Sequence, residues 1–132
     1  MSDWGPGIFE NDDAMDWVYD LSDFETLSRV SNTLDVIVKN KNDHSDITDC
    51  HIALAAAEVI AAMRGDATTE LPEELEEWIG DEVLENDELR AKAEEAVEGI
   101  LKDSGLKDEW EKTSNYSRWR SIVTDLYRRL AF

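Results

Sequence analysis

Between Thr48 and Gly65 the chain carries alanine at positions 53, 55, 56, 57, 61 and 62. Within the same stretch Ile52, Ala56, Val59, Ile60 and Met63 follow the i, i+4, i+7, i+8, i+11 spacing of one helical face. The alanines keep the rest of the circumference small. Such a helix can be approached closely on several sides, so it is expected at the centre of a helical body. Thr48 or Asp49 can cap its start, and Gly65 suits its C-terminal end.

The rest of the chain is punctuated to match. Prolines occur only at 6 and 72, and the six glycines, Gly99 apart, fall between periodic stretches. Alternation of the kind a half-buried strand shows is confined to a few residues such as Asp35–Lys39. A first helix is predicted from Asn11 or Asp12, with Ala14, Met15, Trp17, Val18 and Leu21 on one side. Asp12, Asp13, Asp16 and Asp20 lie on the other. A second, capped by Ser22 or Asp23, runs to about Lys39 with Leu27, Val30, Leu34, Ile37 and Val38 inward, followed by a polar loop over 40–45.

Pro72 fits the first turn of a short helix ending near Ile79. A longer helix follows, capped by Asp87, with Leu89, Ala93, Ala96, Val97, Ile100 and Leu101 inward, and is closed by Gly105. After a short turn over 106–110 comes a last helix with Trp119, Ile122, Val123, Leu126, Tyr127 and Leu130 in one arc. Asp125 and Arg129 form an i, i+4 pair there. The predicted fold is all-α: one domain over 1–132, a bundle of five to six helices with an N-terminal aromatic tuck.

Charge bounds the function. The 132 residues hold 32 Asp and Glu against 13 Lys and Arg, a net charge of −19. This argues against direct nucleic-acid binding, since such a surface repels phosphate, and against adsorption to an anionic membrane. It does not imply disorder, because 42% of the residues are hydrophobic and five are tryptophan. From Asp66 to Glu98 fourteen acids face two bases, whereas Lys112–Phe132 has five bases and one acid. The basic final helix either complements the acidic body internally or makes the surface dipolar towards a partner.

One cysteine, Cys50, allows no internal disulfide and fits a reducing, cytoplasmic setting. The opening residues have neither a basic start nor an apolar run, so no signal peptide is expected, and no stretch reaches membrane-spanning length.

Candidate chemistry is sparse. His44, Asp46, Asp49, Cys50 and His51 are metal-ligand types, yet adjacent Cys50 and His51 point apart and no second Cys pair or His-x-x-x-His accompanies them. Asp12, Asp13, Asp16 and Asp20 lack the alternating spacing and central glycine of a calcium loop, and read as a solvated helix face. No phosphate loop, nucleophile elbow or zinc-protease motif occurs. No catalytic residue, cofactor or metal is therefore expected.

The distinctive stretch is Trp4-Gly5-Pro6-Gly7-Ile8-Phe9-Glu10-Asn11-Asp12-Asp13-Ala14-Met15-Asp16-Trp17. Two glycines around a proline permit a tight turn, so Trp4 and Phe9 either tuck into the bundle or form an aromatic–acidic surface. The pattern Trp-Gly-x-Gly-x-Phe-x-Asn-Asp-x-Ala-x-Asp-Trp resembles the start of the bacterial domain-of-unknown-function family 4259. Residues 55–62, the Leu71-Pro72-Glu73-Glu74 turn leading to Trp78, and the Trp119 helix are similar too. Ser2-Asp3 departs from the small apolar residues that tend to precede the Trp. The resemblance implies a small, acidic, mostly helical cytosolic protein, in which Trp4, Gly5, Gly7, Phe9, Asn11, Asp12 and Trp17 are motif residues. It supplies no catalytic residues.

The expected function is a non-enzymatic acidic module, such as an immunity or antitoxin-like inhibitor, that binds a basic protein. Its expected face combines Asp12, Asp13, Asp16 and Asp20 with the carboxylates of Glu73–Glu98, among them Glu73, Glu74, Glu76 and Glu77. The alternative is a small enzyme or ligand-binding domain with an aromatic pocket lined by Trp17, Trp78 and Trp119. The oligomeric state does not follow from the sequence.

Overall fold

The computed structural model describes residues 5–21, 26–39, 46–68, 71–79 and 86–131, the side chains of 26 and 27 excepted. Among them the chain forms seven helices and no strand: α1 (Asp12–Tyr19), α2 (Thr26–Lys39), α3 (Ile47–Met63), α4 (Glu73–Ile79), α5 (Asp87–Lys102), α6 (Gly105–Glu111) and α7 (Tyr116–Leu130). The all-α expectation holds. The helix count does not: the turn expected over 106–110 is α6, a seventh helix.

α3 is the post around which the others stand. It packs against each of the other six helices. Cys50, His51, Ala53–Ile60, Ala61 and Met63 are all buried, so the helix has no solvent face along most of its length. The alanine methyls make this possible, because they let neighbouring backbones approach without a gap to fill. The wheel drawn from Ile52 is therefore too narrow: Ile52 itself is only half-buried, while Leu54 on another face is fully enclosed.

Caps set the helix boundaries, and several differ from expectation by one or two residues. Asn11 caps α1 as expected, its side chain accepting from the Ala14 N–H at 2.8 Å. α3 is capped by Asp46, which accepts from the Asp49 N–H at 2.9 Å, and not by Thr48 or Asp49. α5 is capped by Asn86, leaving Asp87 to pair with Arg90 at 2.8 Å. Gly105 does not close α5. It opens α6, where the buried Ser104 hydroxyl accepts from the Lys107 N–H and donates to the Ile100 carbonyl. Gly65, at φ +85°, ends α3 in a Schellman arrangement, with the Gly65 and Asp66 N–H groups on the Ala62 and Ala61 carbonyls. The expected caps Ser22 and Asp23, the 40–45 loop and the Leu27 side chain lie outside the described residues.

The end of α7 is fastened from two sides. The Leu130 carbonyl accepts from Arg64 at the end of α3, at 3.2 Å, and from Arg90 of α5, at 3.0 Å. Cationic donors at a helix C-terminus also complement its dipole. The N-terminal strap packs at the start of α7: Pro6, Gly7 and Ile8 meet Leu54, Leu106, Trp110 and Trp119 with almost no space between them. Phe9 is buried in the same strap, whereas Trp4 lies outside the described residues.

All-round packing of α3 has a direct consequence. Ala56→Leu, at a fully enclosed position, is expected to lower unfolding free energy by about 1–3 kcal/mol through overpacking. Ala62→Leu, at a half-buried position, costs clearly less; the comparison is made by urea denaturation.

Candidate functional site: the acidic helices and the buried ion pair

α1 and α4 carry the acids singled out from the sequence, and the two helices touch. α1 buries Ala14, Trp17 and Val18, with Leu21 just beyond it also enclosed, and this turns Asp12, Asp16 and Asp20 outward. Asp13 is different. Its Oδ2 lies 3.0 Å from Nδ1 of His51, an almost fully buried side chain on α3. α4 buries Leu75 and Ile79 and exposes Glu73, Glu74, Glu76 and Glu77. None of the exposed seven is ion-paired among the described residues. The acids at 81, 82 and 85 lie outside them.

Between α1 and α4 runs a groove of about 370 Å³ lined by Val18, Tyr19, Leu21, Leu75 and Trp78, with Glu74 and Glu77 at its edge. Tyr19 is 57% exposed, high for so large an aromatic ring. Asp12, Asp16 and Asp20 do not line the groove. At 100° per residue they project on the far side of Tyr19.

A second concavity, of about 510 Å³, lies under the strap and includes Phe9, Glu10, Glu58, Arg118, Asp125 and Arg129. At its base is a pair that sequence reasoning missed. Glu58 of α3 is completely buried, and both its oxygens accept from the Arg129 guanidinium of α7, Oε2 at 3.2 Å. Arg129 also donates to Asp125 at 2.9 Å and to the Asp66 carbonyl at 3.0 Å. Burial pushes the Glu58 carboxyl above its usual range, while Arg129 opposes that shift. The available signal was a single acid inside an otherwise apolar run of α3. Its partner, 71 residues away, carried none.

Glu10 reaches back into the strap, where its carboxylate accepts from the Gly7 N–H at 3.0 Å. A Cβ on Gly5 or Gly7 would overlap that carboxylate, so the glycines leave room for it. Asn11 holds the next link, donating to the Ile8 carbonyl at 3.2 Å while capping α1. The motif Gly5-Pro6-Gly7-Ile8-Phe9-Glu10-Asn11 is thus a self-bonded strap that delivers α1. A model of the family described as Domain of unknown function (DUF4259) matches residues 2–121.

The chain belongs to the DUF4259 family.

No curated protein and no solved structure matches it. The matched span of this DUF4259 chain covers α1 to α6 and stops inside α7, before Asp125 and Arg129.

The ligand-type set around α3 is dispersed into other duties. Asp46 caps the helix, His51 pairs with Asp13, and Cys50 is fully buried; His44 lies outside the described residues. Among the described residues no three His, Cys, Asp or Glu side chains converge on a metal position. The three tryptophans of the aromatic-pocket alternative border different depressions: Trp17 faces Arg29 and Asp49, Trp78 the α1–α4 groove, and Trp119 the strap. On α7, Arg129 turns inward, whereas Arg118, Arg120 and Arg128 are exposed. Internal complementarity therefore accounts for one of its four arginines.

Two outcomes follow. Desolvation pushes the Cys50 thiol up to about 12, so it stays protonated at about pH 8. A thiol reagent is expected to leave the folded DUF4259 chain unmodified and to label it on denaturation. Arg129→Ala strands a buried carboxylate and is expected to cost about 3–5 kcal/mol in urea unfolding, most of it recovered in the pair Glu58→Leu/Arg129→Met.

Proposed function

We propose that this protein is a non-enzymatic binding module that presents the acidic faces of α1 and α4 to a basic protein, in the manner of an immunity or antitoxin-like inhibitor. The observation that carries the reading is which of the exposed acids local structure explains. Asp12, together with Glu73, Glu74 and Glu76, sits in a first helical turn, where acids complement the dipole. Asp16, Asp20 and Glu77 do not. Asp20 even occupies the C-cap of α1, where negative charge is unfavourable.

Those three carboxylates add repulsion and form no ion pair among the described residues, although the Arg29 guanidinium donates to the Asp20 carbonyl. A partner of opposite charge gives them a use, because complementary fields raise association rate and suppress wrong partners. Carboxylates standing in for nucleic-acid phosphates are a variant of the same reading. A cytoplasmic location accords with the single buried thiol.

A second reading rests on the Glu58–Arg129 cleft, where a buried charged pair and a shifted carboxylate face a concavity suited in size to a small ligand. It ranks below the first because Arg129 is already occupied by Glu58, Asp125 and a backbone carbonyl.

The test is affinity capture from the native host with the wild-type chain and with Asp16→Asn/Asp20→Asn/Glu77→Gln, each at low and raised salt. The expected result is a basic protein retained by wild type at low salt, released by salt and several-fold depleted on the variant. Equal capture by both chains, or no basic protein on either, overturns the reading.

A further inference from the structure

We infer that the groove between α1 and α4 receives an arginine side chain presented by the basic partner. The inference rests on the reading above and adds the position and the residue type. Val18, Leu21 and Leu75 form an apolar floor, and Tyr19 and Trp78 supply aromatic surface. Glu74, Glu77 and Trp78 are spaced i, i+3, i+4, so they share one face of α4 and place two carboxylates beside an indole. No base lies among the described residues lining the groove.

An exposed tyrosine alone carries no message, since single exposed apolar residues are ordinary. The combination is what selects an occupant. A purely apolar group would cover the aromatic surface but strip water from two unpaired carboxylates. An ammonium would satisfy the carboxylates, yet it is strongly hydrated and lacks a plane to lay on a ring. A guanidinium on its aliphatic stem meets every wall: the stem lies on leucine and valine, the plane stacks on Tyr19 or Trp78, and its N–H groups donate to Glu74 and Glu77. Asp12, Asp16 and Asp20, beyond Tyr19, add the long-range attraction that brings a cationic segment to this side.

The probe is a fluorescein-labelled, amidated peptide of alternating arginine and alanine, with lysine and citrulline versions of equal length, titrated by anisotropy at low salt. The arginine peptide is expected to bind roughly fivefold tighter than the lysine peptide, and the neutral citrulline peptide not to bind. Glu74→Gln/Glu77→Gln is expected to weaken arginine-peptide binding about tenfold. Glu109→Gln/Glu111→Gln removes the same charge from α6, which touches neither α1 nor α4, and is expected to change it less than about twofold. Tyr19→Ser, checked for an unchanged melting temperature, is expected to abolish the preference for arginine over lysine. Equal affinity for the two cationic peptides, equal loss from the two charge removals, or no binding of the arginine peptide overturns the groove assignment and leaves the acidic-face reading to the capture experiment. Failure of that capture, with groove-dependent peptide binding intact, overturns the basic-protein reading alone.

Discussion

A helix with almost no solvent face governs this molecule. Because α3 is enclosed along most of its length, every other helix must give it an apolar side, and their charge is driven to the outside. The surface placement of the charge is therefore a consequence of architecture, and its acidic sign one of composition. A 132-residue chain arranged around one buried post has little interior left in which to hide carboxylates.

Glu58 is the exception that shows the rule. A carboxylate at the heart of α3 has to be desolvated, and it is kept there by Arg129 arriving from α7. That contact and Arg64 on the Leu130 carbonyl tie the end of the last helix to the post, and Arg90 ties it to α5. The strap over residues 5–11 closes the same side of the molecule, with Glu10 held by Gly7 and Asn11 capping α1. Core and strap thus take up inward-facing polar groups such as Glu58, Glu10 and Asn11, while Asp12, Asp16, Asp20 and the four glutamates of α4 stay exposed.

What the sequence could reveal followed the range of the interaction. The central role of α3 was legible from its alanines, and Asn11 and Gly65 from short-range capping rules. Capping assignments slipped where several Asp, Asn or Ser residues stand close together: Asp46 wins over Thr48 and Asp49, and Asn86 over Asp87, because local geometry selects among near-equivalent acceptors. Gly105 is ambiguous in the sequence, because a glycine between two helices fits the end of one as well as the start of the next. The acids of α1 and α4 were recognisable as exposed faces, except Asp13, which turns to the buried His51. Their adjacency, the groove beside Tyr19 and the Glu58–Arg129 pair depend on helix placement that no local pattern encodes.

The most direct measurement is native-state hydrogen exchange followed residue by residue. If α3 is the post on which the other helices depend, amides in its middle, from Leu54 to Ile60, exchange only through global unfolding, while those of α1 and α4 open at lower free energy. Exchange of the α3 amides at the same low cost as those of α1 and α4 would contradict the account.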